Sequence, residues 1–194
     1  MQSSTPSDRI VTLPNALTAL RLALIPVFVV CVVRGASEAA LGVFTLAAIT
    51  DLLDGAAARL LDQRSKLGSY LDPIADKSLA FTAFVLLAWR GVLPVWLAAL
   101  VVARDAAVVA FYVTLRVRRS YHPSIRPSLL GKSATFFELV VVGVALVAAL
   151  ADHPAWAVAL RDGLSVGAAL LIVTSVGEYV HHERRVIRSL LRRS

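Results

Sequence analysis

Residues 50–77, TDLLDGAAARLLDQRSKLGSYLDPIADK, carry Asp51, Asp54, Asp72 and Asp76 in a chain that is otherwise close to hydrocarbon in composition. Of its 194 residues, 58% are hydrophobic and 17% charged, and the mean hydropathy is +0.73. That balance is too apolar for a small water-soluble core, so lipid is the expected solvent for most of the surface. A carboxylate inside a bilayer is costly unless it meets protein, water or a cation, and so it marks a functional site by default.

Crossing about 30 Å of hydrocarbon takes roughly 20 helical residues. Runs of that kind lie at 14–33, 39–61, 69–89, 92–115, 129–151 and 163–181. They predict an all-α integral membrane protein of six transmembrane helices, one domain over residues 1–194, with a polar N-terminal segment at 1–13 and a basic tail at 182–194. No cationic leader precedes a short apolar run, so the first span is expected to be retained. Lys and Arg concentrate in the 62–68 loop, the 116–128 loop and the tail, whereas the other side offers Arg34, Arg90 and Arg161. By the positive-inside rule both termini face the cytoplasm, as expected of a multi-pass protein of the cytoplasmic (inner) membrane. The same cations account for the net charge of +7. They flank spans and suit anionic lipid headgroups, and with no aromatic-interleaved basic surface no nucleic-acid partner is expected. The lone cysteine, Cys31, falls inside the first span and reads as packing.

At 1.5 Å per residue, Asp51 lies about 18 Å along the second span from Ala39, and Asp54 about one turn nearer the cytoplasm. The third span starts near Gly68 and runs outward, which puts Asp72 about 6 Å and Asp76 about 12 Å from the same boundary. Asp51 is thus level with Asp76, and Asp54 with Asp72. Asp51, Asp54, Gly55 and Ala58 share one arc of about 100°, while Gly68, Asp72 and Asp76 form an i, i+4, i+8 stripe. Two antiparallel helices can therefore present four carboxylates to one cytoplasm-facing polar cavity.

Four anions cannot share a small cavity without neutralisation, and one or two divalent cations supply it. Oxygen ligands with no His or Cys at matching spacing point to Mg²⁺, Mn²⁺ or Ca²⁺ rather than zinc. Gly55, Ala58 and Gly68 offer close backbone access on the same faces. Arg59 adds a planar cation suited to phosphate. Carboxylates, metal and arginine together describe a site for metal-held phosphates. The rival class is a cation transporter or channel, which predicts acids spread over broken helices in related repeats rather than on one helix pair.

The spaced set Asp51, Asp54, Gly55, Ala58, Arg59, Gly68, Asp72 and Asp76 resembles the complete signature of the CDP-alcohol phosphotransferase family. The six-span layout resembles it too. The resemblance implies displacement of CMP from a CDP-linked donor by an alcohol hydroxyl. Asp51, Asp54, Asp72 and Asp76 would then surround the metal site, with Mg²⁺ or Mn²⁺ as cofactor, and Asp76 would double as general base. Gly55, Ala58 and Gly68 would lie against the nucleotide, Arg59 would hold the diphosphate, and a homodimer is expected.

The opening LPNALTALRLALIP and the segment LDPIADK resemble the branch that makes phosphatidylglycerophosphate and cardiolipin, which implies CDP-diacylglycerol as donor. Arg104-Asp105 and the Gly131-Lys132 stretch with Thr135 lean toward its cardiolipin synthases, whose acceptor is phosphatidylglycerol. The alternative is a phosphatidylglycerophosphate synthase using glycerol 3-phosphate, although the pattern expected there is broken at Ala134 and Glu138.

Arg104 and Lys132 are the candidates for acceptor phosphate, with Arg126 as a third. Arg104 lies deep in its span and needs an anionic partner, and Asp105 projects about 100° away from it. Snorkelling is the ordinary alternative for Lys132. Asn15, Thr18 and Arg21 open the first span as candidates to line the nucleotide pocket, unless Asn15 is simply the helix cap. His181-His182 reads as part of a membrane-surface tail, and Gly163 with Gly167 as a close helix-packing pair.

Overall fold

The computed structural model describes residues 12–60, 66–119, 129–150 and 154–191, without the side chains at 14, 54–60, 66–74, 76, 111–119, 129–130, 132 and 178–191. The described residues form six α-helices in chain order: α1 (Leu13–Val33), α2 (Ser37–Leu60), α3 (Lys66–Trp89), α4 (Val95–Arg119), α5 (Leu129–Leu150) and α6 (Ala155–Leu191).

The helix ends follow from local chemistry. Thr12, not Asn15, caps α1: its backbone is extended and its hydroxyl accepts from the Asn15 N–H at 3.4 Å, with a proline in the first turn where no donor is needed. Two turns at the opposite end of the bundle share one stop signal. Gly35 and Gly91 adopt φ of +71° and +72°. After each, the next amide reaches back five residues, Ala36 N–H to the Cys31 carbonyl at 2.9 Å and Val92 N–H to the Leu87 carbonyl at 2.8 Å. This left-handed cap is open to glycine at little steric cost, which is why both helices end there. Pro94 and Pro154 stand just ahead of α4 and α6, and their carbonyls accept from the third and fourth amides of each helix, those of Leu97 and Ala98 and of Ala157 and Val158.

α1 packs against both α2 and α3, α2 also meets α5, α5 lies along α6, and α4 bridges α3 and α6. All six contribute to one core in which Phe28 and Phe44 meet with tilted rings 6.0 Å apart beside Phe84, Leu97, Val141, Leu146 and Ile172. Fully buried Ala40, Ala47, Ala83, Ala134, Ala145 and Ala168 allow the close helix approach on which association in lipid depends. Many large apolar side chains, among them Leu52, Trp89, Val95 and Leu170, face outward, as a lipid solvent allows. Among the described residues three stretches are long and apolar enough to cross a membrane: Asn15–Val33, Ser133–Leu150 and Ala155–Gly177. Hydroxyls within these helices bond back to their own backbone, as Ser165 does to the Arg161 carbonyl at 2.7 Å and Ser175 to that of Ile172 at 2.8 Å.

Two sequence expectations change. The last helix begins at Ala155 rather than 163, so Arg161 belongs to α6 and not to a loop. Arg161 is accommodated there because Nη2 pairs with Asp162 at 2.7 Å and Nη1 donates to the Val92 carbonyl at 2.9 Å, tying α6 to the α3–α4 turn. Gly163 and Gly167 are not a close-packing pair among the described residues, since a Cβ added at either would meet no heavy atom within 4 Å.

Candidate active site

Asp51, Asp54, Gly55, Ala58 and Arg59 fall on the C-terminal half of α2, and Gly68, Asp72 and Asp76 on the N-terminal half of α3. Only residues 61–65 separate the two helices, so both halves of the motif are held at the same end of the bundle. Of this set, Asp51 is the residue whose side chain is described. The side chains of Asp54, Arg59, Asp72, Asp76 and Lys132 lie outside the described residues, as does Arg126 altogether.

Asp51 is gripped from the first helix. Arg21 Nη1 lies 2.8 Å from Asp51 Oδ1, with the arginine side chain 1% accessible and the aspartate 38%. Asn15 and Thr18, the other pocket candidates on α1, are buried as well, Thr18 completely. Next to Asp51, the Thr50 hydroxyl turns back to the Ala47 carbonyl at 2.7 Å and so donates within its own helix.

A second polar cluster joins α3, α4 and α5. Asp105 Oδ1 lies 2.5 Å from Lys77 Nζ and 3.1 Å from Arg104 Nη1, and the same Nη1 reaches Glu138 Oε1 at 3.4 Å. Although the two residues leave α4 about 100° apart, one guanidinium nitrogen of Arg104 reaches both Asp105 and Glu138. Glu138 is almost fully buried and Lys77 is half exposed. Sequence reading did not single out Lys77 or the partnership of Glu138. The rule that flagged the aspartates applies equally to an acid ten residues into a twenty-two-residue apolar helix.

The donor set fits a hard divalent cation. Four carboxylates fall on two consecutive helices, and at Asp51 one oxygen is anchored while the side chain keeps 38% accessibility, as an oxygen ligand needs. Among the described residues no three His, Cys, Asp or Glu side chains cluster. A cavity lined by Gly91, Pro94, Trp96, Arg161 and Asp162 lies at the other end of the helices, away from the motif.

The family profile for CDP-alcohol phosphatidyltransferase matches residues 11–178. A cardiolipin synthase (CMP-forming) of Streptomyces coelicolor is 37% identical over 79% of this chain and 76% of its own length. A human cardiolipin synthase (CMP-forming) is 34% identical over 96% of this chain and 67% of its own length. A probable phosphatidylglycerophosphate synthase of Mycobacterium tuberculosis is 36% identical over 70% of this chain and 66% of its own length. The motif gathered at one end of a helical bundle and a match reaching from α1 into α6 lead to one conclusion: the chain belongs to the CDP-alcohol phosphatidyltransferase family of phospholipid-synthesising membrane enzymes.

Proposed function

We propose that this enzyme is a cardiolipin synthase: it transfers the phosphatidyl group of CDP-diacylglycerol to a hydroxyl of phosphatidylglycerol and releases CMP, at a site facing the cytoplasm. The observation that carries the reading is the pair of relatives at 37% and 34% identity named for that reaction, which span 79% and 96% of the chain. The complete aspartate motif on α2 and α3 supports the transferase chemistry, and the basic residues near the same end support the orientation.

In this reading Asp51, Asp54, Asp72 and Asp76 hold Mg²⁺ or Mn²⁺, and Arg59 holds the donor diphosphate. Bound cations would neutralise the diphosphate and the departing nucleotide. Asp76 accepts the proton of the acceptor hydroxyl, whose oxygen forms a bond to the phosphorus carrying the diacylglycerol. The bond from that phosphorus to the bridging oxygen breaks, and the electron pair leaves with CMP. Gly55 and Gly68 let the nucleotide approach the backbone, and the enzyme works as a homodimer.

The purified protein, given labelled CDP-diacylglycerol and Mg²⁺ or Mn²⁺, is expected to make cardiolipin from phosphatidylglycerol faster than phosphatidylglycerophosphate from glycerol 3-phosphate. Product formation from the soluble acceptor alone would replace this reading with the phosphatidylglycerophosphate synthase reading that the mycobacterial relative favours.

Arg104 and Lys132 meet the acceptor phosphate. A charge-assisted contact there contributes about 1.5–3 kcal/mol, so Lys132→Gln and Arg104→Gln are each expected to raise the acceptor KM roughly ten- to a hundredfold. Because Arg104→Gln alone leaves the buried Glu138 without its cation, the double variant Arg104→Gln/Glu138→Gln separates acceptor binding from folding. Unchanged acceptor KM with weakened donor binding would assign both residues to the donor instead.

A further inference from the structure

We propose that Arg21 is a positioning residue for Asp51, so that α1, which carries none of the aspartates, sets the geometry of the divalent-cation site on α2 and α3. This rests on the reading of Asp51 as a metal ligand. A cation with 1% of its side chain accessible, in a helix that carries no acid, persists in an apolar bundle only if another element supplies the counter-charge. Asp51 supplies it at 2.8 Å, the length of a charge-assisted hydrogen bond.

The pair is asymmetric in a way that suits positioning. Arg21 is sealed in the bundle, whereas Asp51 keeps 38% of its side chain accessible. One carboxylate oxygen is thereby fixed from behind while the side chain stays open to a ligand. Thr50, the buried neighbour, spends its hydroxyl on the Ala47 carbonyl and does not compete for the carboxylate. α1 also packs against both motif-bearing helices, so a displacement of Arg21 would be felt by the two halves of the site together.

Two effects oppose each other when Arg21 is removed. Loss of a positive charge strengthens the general attraction of the acids for a cation, but solvent reaching Asp51 screens that gain. Loss of the orienting partner frees the carboxylate rotamer, and removal of such partners typically weakens metal binding about ten- to a hundredfold. The orienting effect is the larger.

The test uses full-length protein in detergent without lipid substrates, reading the Mn²⁺ dissociation constant by electron paramagnetic resonance and the melting temperature alongside. Arg21→Met is expected to weaken Mn²⁺ binding about ten- to a hundredfold, with Arg21→Lys recovering most of the loss. In an Asp51→Asn background Arg21→Met is expected to cost clearly less than in wild type, because much of its effect acts through that carboxylate. Wild-type affinity in Arg21→Met, or losses that multiply in the double variant, would overturn the proposal and leave Arg21 a packing element. Should Arg21→Met not fold, the same cycle with Arg21→Lys decides: a few-fold weakening that shrinks beside Asp51→Asn supports positioning, and a multiplicative one overturns it. Wild-type protein that binds no Mn²⁺ would remove the metal-site reading itself, and this inference with it.

Discussion

Asp76→Asn is expected to slow CMP release about a thousandfold while leaving CDP-diacylglycerol affinity within a few-fold of wild type, the middle of the range for loss of a general base. Asparagine keeps the size of the side chain and a carbonyl oxygen that can still face a cation, but it cannot accept the acceptor's proton. A loss confined to turnover is the signature of an interaction made only in the transition state. The measurement pairs single-turnover CMP release with donor binding read by displacement of a labelled CDP analogue. Asp51→Asn and Asp54→Asn are expected to differ in kind, weakening metal and donor binding along with turnover. Near wild-type turnover in Asp76→Asn would take the role of base away from this residue.

Excess EDTA is expected to abolish CMP release altogether, and Mg²⁺ or Mn²⁺ to restore it. The physical basis is the charge of the site: a diphosphate donor cannot approach four carboxylates without intervening cations, and Arg21 and Arg59 together do not balance them. Metal content measured on the purified protein and CMP release titrated with each cation check the expectation. Full activity in EDTA, with no tightly bound metal, would exclude the carboxylate site as the centre of the reaction.

The aspartate motif was legible in the sequence because its spacing is local. Asp51, Asp54, Gly55 and Ala58 belong to one helix, and Gly68, Asp72 and Asp76 to the next, so the 3.6-residue period and a short connection were enough to bring them to one end. The helices themselves were legible for similar reasons. Apolar runs of sufficient length announced each of them, whereas the stops at Gly35 and Gly91 show in the backbone. The start of α6 is hidden in the sequence because Arg161 and Asp162 look like loop residues until each is seen to neutralise the other.

Partners between helices were another matter. Arg21 stands thirty positions from Asp51, and Arg104 thirty-four from Glu138. Along the sequence Arg21 is one more polar residue beside Asn15 and Thr18, and Glu138 a break in a family pattern. Composition and periodicity act along a single helix and determine that this chain is a helical bundle with an acidic motif at one end. Which face of α1 meets α2, and which acid lies behind Arg104, depends on how side chains such as Phe28, Phe44, Ala47 and Ala134 fill the space between helices. That choice is tertiary, because each pairing is stabilised only when the faces on both helices are buried together, and no single segment of the sequence contains both.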